Sequence, residues 1–196
     1  MDNIKGHLLL LLAPSGSGKR LLVEGLGGLK KELYFAKTYT SRQQRAGAKE
    51  NPKYVFFTED EFQQKIDGDE FIEWANFSGN FYGTPKEEFT EPLKEGKLVF
   101  KEMELQGIEQ IRKIVPKENM TVVYVEAGGW EVLKQRVLDR ASISEEELEL
   151  RYQHFIKESQ AKEEADVVIE NFDGQLEEAQ TNFAELIVGL TNKISE

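Results

Sequence analysis

The sequence predicts an α/β fold, a parallel sheet with helices on both faces, interrupted by a small mixed α/β insertion. Three observations lead there. Short apolar runs of strand length alternate with longer segments of helix length along most of the chain. The first run, Leu8–Leu12, leads directly into a Gly/Ser-rich turn and then into helix-compatible Arg20-Leu21-Leu22-Val23-Glu24, so strand, loop and helix follow one another. Between Tyr34 and Glu95 the texture changes to aromatic and β-branched runs separated by turn residues.

Taken in order, Leu8–Leu12 is the first strand, and Lys97–Met103, Met120–Glu126 and Asp166–Glu170 are the further core strands. Helices are expected over Lys19–Leu26, Leu105–Val115, Trp130–Arg140, Ser144–Glu163 and Gln175–Asn192. Gly25, Gly27 and Gly28 should end the first helix early. Within the insertion, Tyr54-Val55-Phe56-Phe57 and Phe71-Ile72-Glu73-Trp74 read as strands. Thr58 followed by Glu61 has the capping-box spacing and opens a helix over Glu59–Ile66. The segment Ser144–Glu164 is dense in Glu and Lys and reads equally well as a solvated helix. There is no internal repeat and no low-complexity linker.

At 196 residues the chain fits one domain with subdomain insertions. Acidic residues outnumber basic ones by 36 to 25, and the formal net charge of −11 repels nucleic acid and anionic membranes as bulk partners. Anionic ligands must therefore be drawn in by local cations. No cysteine is present, so there is no disulfide framework and no thiolate chemistry, which is compatible with a reducing cytoplasm. The leucine run is too short for a secretory or membrane-spanning segment, and no other stretch approaches that length.

The chemistry is concentrated in Ala13-Pro14-Ser15-Gly16-Ser17-Gly18-Lys19-Arg20. A loop that cradles phosphates with its backbone N–H groups needs glycines for close approach, a lysine for the outer phosphates and a following hydroxyl for a metal ion. Gly16, Gly18 and Lys19 meet the first two needs. Ala13 stands where the pattern has its first glycine, a mild change if its φ is negative and a serious one if positive. Arg20 stands where the pattern has Ser or Thr, with Leu21 behind it, so phosphate binding is retained and metal handling is weakened. Arg20 also adds a cation at a helix N-terminus, where the dipole disfavours it, although a bound triphosphate could pair with it.

Further on, Arg42 and Arg45, with threonines and Tyr54 nearby, can clamp a second phosphate through forked hydrogen bonds, though loop arginines on a surface would look the same. Glu73, in an apolar and aromatic strand, has the acceptors for the N1–H and exocyclic amine of guanine, and Thr84 could meet the polar edge of the ring. Alone, Glu73 would pass for an ordinary strand acid.

Together these segments resemble guanylate kinases over most of the chain, from the phosphate loop to about Asn171. The resemblance rests on Pro14-Ser15-Gly16-Ser17-Gly18-Lys19, on Thr40-Ser41-Arg42 with Arg45 and Gly47, and on Tyr54. It continues through Phe71-Ile72-Glu73-Trp74-Ala75, Gly79-Asn80-Phe81-Tyr82-Gly83-Thr84, and Glu102-Met103-Glu104 with Gln106-Gly107. It implies a P-loop kinase core (1–33, 96–126 and 166–196), a GMP-binding insertion (34–95) and a helical lid (127–165). It further implies that Arg42, Arg45, Tyr54 and Tyr82 hold the phosphate of GMP and that Thr38, Glu73 and Thr84 read guanine. Glu102 and Glu104 then lie near the GMP and the metal.

On the same resemblance, residues 13–20 and Asn171 bind ATP, and Lys19, Arg136, Arg140 and Arg151 are catalytic. The implied reaction is phosphoryl transfer from ATP to GMP, with Mg²⁺ delivered by ATP rather than by a protein metal site, in the cytoplasm. Two further departures stand out: Ala48 where the family usually has glutamate, and Glu104 one methylene longer than the usual aspartate. The GMP side is thus better preserved than the ATP–metal side, and a slow enzyme is the expectation. A degenerate relative that binds a guanine nucleotide as a sensor or interaction module is the alternative. A protein-binding scaffold is a third reading, disfavoured because it needs neither Lys19, Glu73 nor the clamp arginines.

Overall fold

In the computed structural model, residues 3–44, 53–77, 79–140 and 143–195 are described. Five parallel strands, β1 (His7–Leu12), β2 (Leu33–Phe35), β7 (Leu98–Glu102), β8 (Met120–Glu126) and β9 (Val167–Glu170), form the central sheet in the order β2-β7-β1-β8-β9. Because β1 is central and buried on both faces, it can be a continuous leucine run. Its alternate residues serve opposite sides: Leu8, Leu10 and Leu12 pack in one core cluster, Leu9 and Leu11 in the other. The first cluster is covered by α3 (Glu87–Lys94) and α4 (Leu105–Ile111) through Phe89, Leu93, Ile108 and Ile111. The second is covered by α1 (Lys19–Gly25) and α7 (Leu176–Ser195) through Leu22, Val23, Phe183 and Ile187. These are the helices on both faces that the alternating pattern implied.

A second, mixed sheet holds β3 (Thr38–Thr40), β4 (Tyr54–Phe56), β5 (Phe71–Phe77) and β6 (Asn80–Pro85) in the order β4-β3-β6-β5. Helix α2 (Glu59–Asp67) packs on it, with Phe62 stacked on Phe71 and Phe81 at centroid distances of 4.5 and 5.3 Å. The expected capping box is formed: Glu61 N donates to Thr58 Oγ1 and Thr58 N to Glu61 Oε2. Beyond β8 come α5 (Trp130–Arg140) and α6 (Glu145–Gln160), the latter capped by Ser144. Among the described residues no helix is long and apolar enough to cross a membrane.

The structure adds to the sequence reading and trims it. Strand β2 was not anticipated, because three residues are too few to show a period. Helix α3 and the antiparallel partner strand β6 likewise lay hidden inside the insertion's irregular texture. Helix α4 stops at Ile111, short of the expected Val115, because i→i−3 bonds from Lys113 to Gln110 and from Ile114 to Ile111 tighten the chain ahead of Pro116.

His7 begins β1 and bonds through Nε2 to Thr121 Oγ1 at 2.8 Å, with 4% of its surface exposed. Burial, helped by Lys193 and opposed by Asp166, pushes its pKa down from 6.5 to about 4. The unfolded chain therefore takes up a proton near pH 6.5 that the folded chain refuses until about pH 4. Stability is unaffected by this group above pH 6.5 and falls across that window, by about 3 kcal/mol at 1.36 kcal/mol per unit. Urea unfolding at pH 7 and pH 4 should show His7→Gln losing less stability than the unaltered protein by about that amount. Equal losses would mean that His7 is not the group that titrates.

Candidate active site

The loop 13–20 follows the end of β1, beside the end of β7, the place where parallel sheets present ligands to loops. Leu11 and Glu102 are register partners there, and Met103 N donates to Leu11 O at 3.1 Å. Ala13, 1% exposed, packs its methyl into the core, and its φ is not positive, so the missing glycine brings no strain. Gly16 and Gly18 take φ of 87° and 89°, which glycine alone adopts freely. Neither position has room for a side chain. A Cβ on Gly16 would lie 2.9 Å from Leu133 O, and one on Gly18 would collide with the Asn171 amide.

Lys19 opens α1, and its Nζ is folded back onto the carbonyls of Ala13 and Pro14. Burial lowers its pKa, and the negative charges of Glu158, Glu102 and Glu104 oppose that shift. Glu158, on α6, is itself pushed up to about 7 by burial against the pull of Lys19, with Glu104 adding to the rise. Arg20 behaves differently. Its Nε pairs with Glu24 Oε1 at 2.7 Å one turn along, its side chain 82% exposed, facing away from the loop.

Arg136 on α5 and Arg151 on α6 touch the loop. Arg151 Nη1 donates to Ser15 Oγ at 2.6 Å, while its Nε and Nη2 hold Glu147 Oε1 at 3.2 and 2.6 Å. Arg136 spans Gly16 O (3.4 Å), Asn171 O (3.2 Å) and Asp173 Oδ1 (2.6 Å). Trp130 lies 5.2 Å from the Tyr152 ring and 5.7 Å from Phe155, tying α5 to α6 so that both arginines ride on one unit. Asn171 is buried and braces the loop from below, donating to Ser17 O at 2.7 Å. Arg140 lies on α5, but its side chain, with Arg45, Gly47 and Ala48, is outside the described residues.

Across the cleft the insertion presents a different chemistry. Glu73 and Thr84 are cross-strand partners on β5 and β6, and Thr84 Oγ1 donates to Glu73 Oε1 at 2.6 Å. Burial raises the pKa of Glu73. Thr84 and the charge of Lys101 pull it back. Gly107 keeps this corner open, since a Cβ there would meet Met103 at 2.8 Å and Glu73 Oε2 at 3.4 Å. Arg42 N donates to Thr40 Oγ1 at 3.1 Å, and its guanidinium lies 5.8 Å over the Tyr54 ring with a buried Nε that has no hydrogen-bond partner among the described residues. Tyr82 stands on β6 opposite Thr40 and Ala75, and Thr38 on β3 bonds Lys101 Nζ at 2.6 Å. Glu102 pairs with Lys53 at 2.6 Å, and Glu104 is the N-cap residue of α4.

Two residues here escaped the sequence reading. Lys101 sits in a strand run that looked like ordinary core, and Glu158 in a helix so rich in charge that no single acid stood out. The signal for Lys101 was a charge inside a strand that must be buried on both faces.

The arrangement is a glycine-bearing loop contacted by two arginines, together with a carboxylate–hydroxyl pair and a further arginine on the insertion. Comparison with known proteins agrees with it. The family model for guanylate kinase matches residues 5–189. The guanylate kinase of Synechococcus sp. (strain JA-3-3Ab) is 40% identical over 167 residues, 85% of this chain and 76% of that protein. That of Synechocystis sp. is 34% identical over 185 residues, 94% and 95% of the two chains. A crystal structure of guanylate kinase from Anaplasma phagocytophilum matches with a TM-score of 0.69, covering 96% of this chain and 88% of that one at 21% identity, a likeness of fold.

Proposed function

The chain belongs to the guanylate kinase family, and on that premise we propose that its cleft transfers the γ-phosphoryl group of ATP to GMP, giving ADP and GDP. It is thus a nucleoside monophosphate kinase, and binding without turnover is not the reading the family favours. The observation that carries the proposal is the half-buried Glu73 carboxylate, oriented by Thr84 and set beside a separate lysine-bearing loop after β1.

In this reading Thr38, Glu73 and Thr84 hold guanine. Arg42 and Arg45, with Tyr54 and Tyr82, hold the GMP phosphate. Residues 13–20 and Asn171 form the ATP side. Arg42 suits its task because its unpartnered Nε can join a forked pair with a phosphate. Transfer breaks the bond from the γ-phosphorus to the ADP oxygen and forms one to a GMP phosphate oxygen, with no covalent protein intermediate. The protein's contribution is alignment and neutralisation of charge by Lys19, Arg136, Arg140 and Arg151. Movement of the insertion (34–95) and the lid (127–165) against the core would exclude water before transfer.

The donor set fits Mg²⁺ as an ion carried in by ATP. Arg20 and Leu21 offer it no hydroxyl, but Glu102 and Glu104, whose charges act on Lys19, would supply hard oxygens to its water shell. When bound, the ion neutralises charge on the outer phosphates. A cytoplasmic location is part of this reading, in keeping with a chain without cysteine.

Base choice tests the reading. Glu73→Gln puts a donor amide against guanine's own donors, and should weaken GMP binding by about 1–3 kcal/mol in a calorimetric titration. The unaltered protein should take GMP well and AMP poorly as acceptors. Equal use of the two would sink the assignment of Glu73.

A further inference from the structure

Lys101 is a buried charge that no role above uses. It lies on β7 with 5% of its surface exposed. Its Nζ donates to Thr38 Oγ1 at 2.6 Å and to Ala36 O at 3.3 Å. The charged groups facing it are Glu73 from β5, Glu88 from α3, Glu102 on its own strand, and Lys53 just ahead of β4. Glu88 is already engaged by the Tyr34 hydroxyl and the Lys37 N–H on one oxygen. An unpaired lysine in such a place would be costly, so its partners define what it does.

An ammonium donates hydrogen bonds and never accepts them, whereas a hydroxyl has one proton and two lone pairs. The bond from Lys101 therefore occupies a lone pair of Thr38 and turns the proton of Thr38 elsewhere. We propose that Lys101 is a specificity-determining positioning residue, which fixes the Thr38 hydroxyl as a donor and so matches the pocket to a purine carrying a carbonyl, rather than an amine, at C6. The proposal rests on the guanylate kinase reading above. Its logic is a two-point pattern: Thr38 gives, and Glu73, its Oε1 held by Thr84, receives. Guanine presents an acceptor at O6 beside a donor at N1, which complements both points. Adenine presents a donor and an acceptor in the reverse order and mismatches both. The charge of Lys101 also favours the ionised form of Glu73, against the burial that raises its pKa.

The test uses Lys101→Met, which keeps an unbranched chain without charge or donor. Calorimetric Kd and steady-state KM for GMP should rise about 10- to 100-fold, the scale for hydrogen bonds involving charged groups. AMP should be nearly unaffected, so the GMP-to-AMP ratio of kcat/KM collapses, and the loss should fall on KM rather than kcat. Since Lys101 acts chiefly through Thr38, the same change made in a Thr38→Val background should cost GMP far less. Unchanged selectivity in Lys101→Met, or additive losses in the double variant, overturns the proposal. If Lys101→Met fails to unfold cooperatively, Thr38→Val alone decides: it must lose the preference for GMP, and keeping that preference overturns the proposal. The two readings fail differently. Unaltered protein that neither binds nor phosphorylates GMP defeats both, whereas GMP selectivity indifferent to Lys101 defeats this inference alone.

Discussion

Replacing Lys19 by methionine is expected to lower kcat by about 10²- to 10³-fold, the cost of removing one preorganised charge-stabilising donor from a water-excluded site. The effect should be large because of where the ammonium stands. It is half-buried, the charges of Glu102, Glu104 and Glu158 act on it, and it is held by the loop's own carbonyls of Ala13 and Pro14. A triphosphate offers it stronger acceptors than those carbonyls, and charge that grows on the transferring group rewards that contact in the transition state. GMP binding should change little, since the pocket proposed for it lies on the insertion. Steady-state rates with a parallel GMP titration decide the point. A kcat within about threefold of the unaltered protein would mean that Lys19 merely straps the loop.

Arg20→Ser is expected to raise kcat, by roughly 5- to 150-fold if the missing hydroxyl costs about 1–3 kcal/mol of charge stabilisation. Most of the metal's hold comes from phosphates and water, so one absent protein ligand removes only part of it. Arg20 contributes nothing to the loop in this geometry. It points outward to Glu24, an exposed pair of the kind that stabilises little, so removing it should leave the fold intact. GMP affinity should stay nearly constant. A lower rate in Arg20→Ser would show instead that Arg20 leaves Glu24 and neutralises phosphate charge when ATP binds.

What was legible in the sequence was whatever is local. The phosphate loop announces itself in eight consecutive residues, because glycines at 16 and 18 and a lysine at 19 are all needed within one turn of chain. The capping box at Thr58 and Glu61 and the ends of β8 and α5 are similarly local, and the structure has them where the pattern put them. Glu73 could be singled out, but its partnership with Thr84 depends on a register between β5 and β6 that only the folded sheet reveals. Lys101 was illegible for the same reason on a larger scale. Its meaning comes from Thr38 and Ala36, 63 and 65 residues away along the chain. Glu158 was masked by its neighbours: in a helix where Glu145, Glu146, Glu147 and Glu149 face solvent, nothing in the pattern marks the acid that turns toward Lys19. Arg136 and Arg151 were found by resemblance, and their contacts with Gly16 and Ser15 connect parts of the chain more than a hundred residues apart.

The most direct measurement follows the phosphoryl group itself. Protein in excess is mixed with ATP labelled on its γ-phosphate, Mg²⁺ and GMP, and the label is traced through a single turnover. A guanylate kinase moves the label into GDP, at a rate that depends on GMP and not on AMP, and releases no free phosphate before GDP forms. Saturable GMP binding with all of the label remaining in ATP would contradict that account and make the chain a guanine-nucleotide binder whose loop has lost its chemistry at Arg20.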